Sequence, residues 1–135
     1  MGYEHVLVER SGDFATVTMN RPQRRNALSL DHMRELIRAF TELGDGDALG
    51  IVLAGNGPVF SSGHDFADVA DAGLSEVRAL LVTCTELMTL MQQVPQPVVA
   101  RVHGLATSWQ PAAVASADLA VASEDAGFAL SLIHI

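Results

Sequence analysis

The chain contains no lysine and a single cysteine, Cys84. One cysteine can neither close an internal disulfide nor build a cysteine-rich metal centre, and among apolar neighbours Cys84 reads as a small buried helix residue. No apolar run is long and clean enough to span a bilayer, so no membrane is expected as a partner. The first residues lack both a basic start and an apolar signal core, which argues against secretion and for a cytoplasmic location. A net charge of −8 argues against nucleic acid as a partner. No internal repeat or low-complexity linker breaks the chain.

What remains is an apolar content of 49% over 135 residues, which suits one globular domain or the front part of a larger one. Six of the eight basic residues are clustered early, at Arg10, Arg21, Arg24, Arg25, Arg34 and Arg38. Such a cluster suits an anionic ligand, while solvated helix charge explains Arg34 and Arg38 equally well.

The chain is organised around Gly57-Pro58-Val59-Phe60-Ser61-Ser62-Gly63-His64-Asp65-Phe66. The run before it, from Gly50 to Gly55, reads as a buried strand, and Asp65 and Asp68 after it open a segment with helical spacing. A strand-to-helix corner of small residues offers backbone N–H groups near a helix dipole, where a carbonyl oxygen gaining charge could be held. A structural turn that needs Gly63 is the alternative.

His5–Arg10 and Phe14–Met19 read as strands joined by a hairpin turn at Ser11-Gly12-Asp13, and Asn20-Arg21-Pro22 ends the second. Ser29 is the expected N-cap of a helix to about Leu43, with Leu30, Met33, Leu36, Ile37, Phe40 and Leu43 as its apolar stripe and Gly44 as its stop. Asp68–Ala72 is expected to be a short helix closed by Gly73. Ser75 is expected to cap a longer one, burying Leu80, Leu81, Cys84, Leu87, Met88 and Met91 and ending before Pro95 and Pro97. Val98–Val102 follows as a strand, then a turn at His103-Gly104, a short strand over Asp118–Ala122, and the start of another at Phe128-Ala129. A hairpin followed by alternating strands and helices predicts an α/β fold.

Three stretches carry a resemblance: Asn20-Arg21-Pro22 with Asn26-Ala27-Leu28; Gly57 to Asp65; and Ala100-Arg101-Val102-His103-Gly104-Leu105-Ala106. In order and separation they resemble the enoyl-CoA hydratase/isomerase (crotonase) family. The resemblance implies a crotonase-like (ClpP/crotonase) spiral of strand–strand–helix units, of which residues 1–129 would be the N-terminal part. It implies an acyl-CoA thioester as partner, no separate cofactor because coenzyme A belongs to the substrate, and homo-oligomers (trimers or hexamers) of full-length members. The backbone N–H at His64 would supply half of an oxyanion hole, and Ser62, Gly63 and Asp65 would lie along the substrate channel. Gln23, Arg24 and Arg25 fall where the family holds the adenine and pantetheine portion, and arginine suits the coenzyme's phosphates. Drawing charge onto the thioester oxygen would serve water addition, double-bond migration or hydrolysis, with nearby carboxylates deciding which.

The sequence departs from the family at Ser108–Ala113. Trp109 occupies the position of the second oxyanion glycine, and Ala112 and Leu132 those of two glutamates. Read as AGC and TGG and slid by one base, the codons of Ser108 and Trp109 open onto Ala-Gly-Ser-Gln-Leu, so a pair of compensating frameshifts is the expectation. Leu130–Ile135 resembles a translated sequencing adapter, making 130–135 a foreign tail. The leading reading is an acyl-CoA enzyme of the hydratase/isomerase type, with acyl-CoA binding without turnover and an incomplete product without function as the alternatives. The chain as it stands should expose apolar surface and be poorly soluble or inactive. Asp65, Asp68 and Asp71 share an i, i+3, i+6 spacing that suits charges complementing a helix start better than a metal site. His64 and His103 read as structural side chains, and Met88 and Met91 as core.

Overall fold

The computed structural model describes residues 2–65, 69–107 and 110–129, with backbone alone for 110–112. The first element is a hairpin of β1 (Val6–Ser11) and β2 (Phe14–Met19), paired antiparallel from Val6↔Met19 to Ser11↔Phe14, with β2 showing the period-two alternation of a half-buried strand. Its turn passes through Gly12 at φ 58°, a left-handed conformation that glycine adopts without penalty. Ala15, Val17 and Met19 put one face of β2 into the core.

Helix α1 (Leu30–Gly44) begins where Ser29 accepts a hydrogen bond from the His32 N–H. Met33, Leu36 and Phe40 form its buried stripe, with Leu30, Ile37 and Leu43 partly buried beside them. The helix returns the chain so that β3 (Gly50–Gly55) lies parallel to β2, an arrangement that requires a crossover. Helix α2 (Leu74–Gln93) does the same between β3 and β4 (Val98–Val102). After β4 come β5 (Leu105–Thr107), α3 (Gln110–Ser116), β6 (Leu119–Ala122) and β7 (Gly127–Ala129).

Two sheets result, a five-stranded one in the order β1-β2-β3-β4-β6 and a small parallel one of β5 and β7. Two isolated parallel bridges, Leu28↔His64 and Ser61↔Ala106, extend the second stack. The chain therefore repeats one unit: a strand in the large sheet, a segment in the second stack, then a helix. β2 with Leu28 and α1, β3 with Ser61–His64 and α2, and β4 with β5 and α3 are three successive turns of this spiral. The core lies between the large sheet and the helices, around Phe40, Phe60, Met33 and Ile51.

Several expectations need correction. Residues 69–72 form a turn, with the Ala72 N–H 3.4 Å from the Val69 oxygen, where a helix was expected; Asp68 lies outside the described residues. Gly73, not Ser75, is the N-cap of α2; Ser75 sits inside the first turn and its hydroxyl donates to Glu76. Leu81 is 47% exposed, and Thr83 takes part of the expected buried face, because α2 turns a slightly different stripe toward α1 and the sheet. His103-Gly104 leads into β5, which was not expected as a strand. Apolar side chains stand open at the sheet edge: every residue of β6 is exposed, including Leu119 and Val121, and Phe128 of β7 is 50% exposed.

Candidate functional site

The site is built outward from Asn26. Arg25 and Asn26 occupy consecutive left-handed conformations, at φ 53° and 52°, a region in which asparagine is among the better tolerated side chains. The fully buried Asn26 amide accepts from the Arg21 N–H at 2.8 Å and donates to the carbonyls of Asn56 (2.8 Å), Phe60 (3.1 Å) and Val59 (3.3 Å). One side chain thus fastens the loop after β2 to the loop after β3. Gly57, at φ 90°, lets the two approach: a Cβ there would meet Pro22 Cβ at 2.6 Å.

Ser61–Asp65 is then held from both sides. The Ser61 hydroxyl donates to the Asn26 carbonyl at 2.7 Å and accepts from the Gly63 N–H at 3.2 Å. On one edge the Ser62 N–H donates to the Arg25 oxygen, the Leu28 N–H to the Gly63 oxygen and the Asp65 N–H to the Leu28 oxygen. On the other, the Phe60 and Ser61 N–H groups donate to the Leu105 oxygen, and the Thr107 N–H to the Ser61 oxygen. Because Gly63 and Asp65 spend their backbone groups on Leu28, parallel pairing directs the His64 N–H to the opposite edge of the segment. Gly63, at φ 91°, makes the bend before it.

Charge is concentrated beside this segment. The Asp65 carboxylate is buried and meets Arg24 at 2.9 Å and Arg21 at 3.3 Å, which offsets the cost of taking a carboxylate out of water. The Arg21 side chain is largely enclosed, at 17% exposure, whereas that of Arg24 is 49% exposed on the short 3-10 turn Pro22–Arg24. Gln23 and Arg25 are exposed on the same turn, and Ser62 is half-buried below them. His103 approaches the Gly57 carbonyl through Nε2 at 2.6 Å, so that nitrogen carries the proton and donates. This contact ties the β4–β5 corner to the loop and supports the structural reading of His103.

An apolar cavity of about 400 Å³ adjoins His64 and is lined by Leu81, Cys84, Thr85, Met88, Thr89 and Gln92 of α2. Its size and lining are those of a small-molecule site. Burial pushes the Cys84 thiol above its ordinary pKa, keeping it protonated and unreactive. A larger groove of about 560 Å³ runs between α1 and α2 but holds neither His64 nor any arginine of the cluster. The smaller cavity is therefore the one joined to the polar site.

The structure brings Gln23, Arg24, Arg25, Ser62, Gly63, His64 and Asp65 together around one loop pair. Asp65 meets Arg21 and Arg24, Asp71 lies in the turn before α2, and the residues directly after Asp65, Asp68 among them, lie outside the described residues. No group of three or more histidine, cysteine, aspartate or glutamate side chains suited to a metal occurs among the described residues. Trp109, Ser108 and the tail 130–135 lie outside them. Sequence reasoning missed Asn26, Arg21 and Ser61 as the residues that shape the loop. Positive φ and a buried amide leave no periodic signal, although the position of Asn26 between an arginine pair and an apolar run is unusual for a core residue.

The profile of the enoyl-CoA hydratase/isomerase family matches residues 9–135. Over 131 residues the chain is 40% identical to the mitochondrial enoyl-CoA hydratase domain-containing protein 3 of Danio rerio, a match covering 96% of this chain and 45% of that protein. An enoyl-CoA hydratase structure from Mycobacterium smegmatis superposes with a TM-score of 0.91 at 39% identity, over 96% of this chain and 51% of that one. The human enoyl-CoA hydratase domain-containing protein 3 superposes with a TM-score of 0.91 at 32% identity, over 94% and 51% respectively. The chain thus spans about half the length of the relatives it matches.

Proposed function

The chain belongs to the enoyl-CoA hydratase/isomerase family, and from that premise we propose that it binds an acyl-CoA thioester with the carbonyl oxygen at the His64 N–H. The observation that carries this reading is the clamping of Ser61–Asp65 between Leu28 and Leu105–Thr107, which holds the His64 peptide in one orientation. A donor fixed in advance stabilises a developing oxyanion without reorganising during the reaction. The exposed Arg24 and Arg25 near this peptide suit the coenzyme's phosphates, and the apolar cavity that adjoins His64 gives the acyl chain a place to leave water. Charge drawn onto the thioester oxygen makes C3 of an enoyl group electrophilic. Water then adds its oxygen at C3 and a proton at C2, or a proton shifts and the double bond migrates.

A second reading, acyl-CoA binding without turnover, is favoured by one observation. Ala112 and Leu132 stand where the family resemblance places glutamates, and neither can move a proton. Isothermal titration with acetyl-CoA and a crotonyl-CoA hydration assay separate the two. Binding with hydration supports the first, binding without it the second, and absence of binding overturns both.

A further inference from the structure

Asp65 is the residue after His64, and its carboxylate is shared between two arginines with different exposures. Arg21 is enclosed, and its own N–H is pinned by the buried Asn26 amide, so it is a fixed partner. Arg24 lies half in solvent and gives Asp65 its shorter contact, 2.9 Å from one guanidinium nitrogen. A guanidinium has five N–H donors, so Arg24 has others to offer an anion.

We propose that Asp65 couples the phosphate end of the site to the thioester end, with Arg24 as the shared arm. Resting on the acyl-CoA reading above, this makes Asp65 a positioning residue. When a phosphate draws on Arg24, the carboxylate turns further onto Arg21, and the change reaches the His64 amide one residue away as a change in local field while the bonds to Leu28 keep its aim. Asp65 and the phosphate compete for one guanidinium, so the carboxylate weakens nucleotide binding while it orients the loop. The competition predicts that removing Asp65 tightens the nucleotide, as the loss of any nearby negative charge would, so the discriminating readout is the simultaneous loss of the His64 response.

The test uses the 135-residue chain, labelled with 15N, and adenosine 3′,5′-bisphosphate, the nucleotide end of coenzyme A without its thioester. In the wild type the His64 amide resonance is expected to shift along the same saturation curve that reports nucleotide binding. In Asp65→Asn the nucleotide is expected to bind about two- to fivefold tighter, the range a partly exposed ion pair contributes, while the His64 amide no longer responds. Arg24→Gln, at a half-exposed position where folding is tolerant, is expected to weaken the nucleotide by a similar factor and also silence His64. Weaker binding in Asp65→Asn, or a His64 amide that ignores saturating nucleotide in the wild type, overturns the coupling. Should Asp65→Asn not fold, an Arg24→Gln chain whose His64 amide still follows bound nucleotide overturns it as well. Failure of both nucleotide and acetyl-CoA to bind the wild type instead overturns the acyl-CoA reading, so the two failures are distinguishable.

Discussion

Replacing Asn26 with alanine tests the central claim about how the site is built. The substitution deletes two contacts of 2.8 Å and one of 3.1 Å, together with a longer one of 3.3 Å, all made by a side chain with no solvent exposure. At about 1 kcal/mol net for each of the three shorter bonds, the loss is ~3 kcal/mol. Alanine at φ 52° adds about 1 kcal/mol of backbone cost, for a total near ~4 kcal/mol. Two further variants separate the contributions. Asn26→Gly restores backbone freedom and should recover roughly 1 kcal/mol of that loss. Asn26→Asp keeps the shape and the acceptor facing the Arg21 N–H but turns a carboxylate oxygen toward three carbonyls, so it should be at least as damaging as alanine. Urea denaturation followed by circular dichroism measures each. An Asn26→Ala chain within about 1 kcal/mol of wild type, or an Asn26→Asp chain as stable as wild type, would refute the reasoning.

Three further outcomes are expected. His32 is fully buried, and burial lowers its pKa from 6.5 to about 4, so the unfolded chain binds the proton more readily in that interval. Stability should therefore be complete above pH 6.5 and fall on acidification toward pH 4, by about 2 kcal/mol at pH 5. Urea midpoints at pH 7 and pH 5 for wild type and His32→Asn measure this, and an equal loss in the variant would rule His32 out as the cause. Gly57→Ala should destabilise by well over 1 kcal/mol, since it meets both a positive φ and Pro22 at 2.6 Å. Gly12→Ala, with a positive φ but nothing within 4 Å, should cost only about 1 kcal/mol, and equal losses in thermal melts would contradict the close approach. Cys84, buried and protonated, should react with iodoacetamide at pH 7.5 far more slowly than a free thiol until urea unfolds the chain; rapid native labelling, read by mass spectrometry, would contradict its burial.

Local chemistry made much of this structure legible from sequence. The stripe and cap of α1, the alternation of β2, and the glycine-bounded run of β3 each depend on residues within one element, so they appeared where expected. The family motifs marked the loops that meet at His64. β5 was not legible, because three residues after a glycine become a strand only through partners in β7 and at Ser61. The N-cap of α2 was misplaced because Gly73 takes the position through backbone conformation alone, without a side-chain hydrogen bond.

By itself, then, the sequence determined the α/β order, the family and the residue types gathered at the site. Tertiary structure decided what those residues do to one another. Asp65 and Arg24 are 41 positions apart, and nothing in either segment shows that they share a contact of 2.9 Å. Asn26 and Phe60 are 34 apart, joined by an amide whose conformation no pattern reports. Periodicity and capping are short-range and survive in one dimension. Ion pairs between loops, left-handed backbone and the aim of a single N–H exist only once the spiral has stacked its turns.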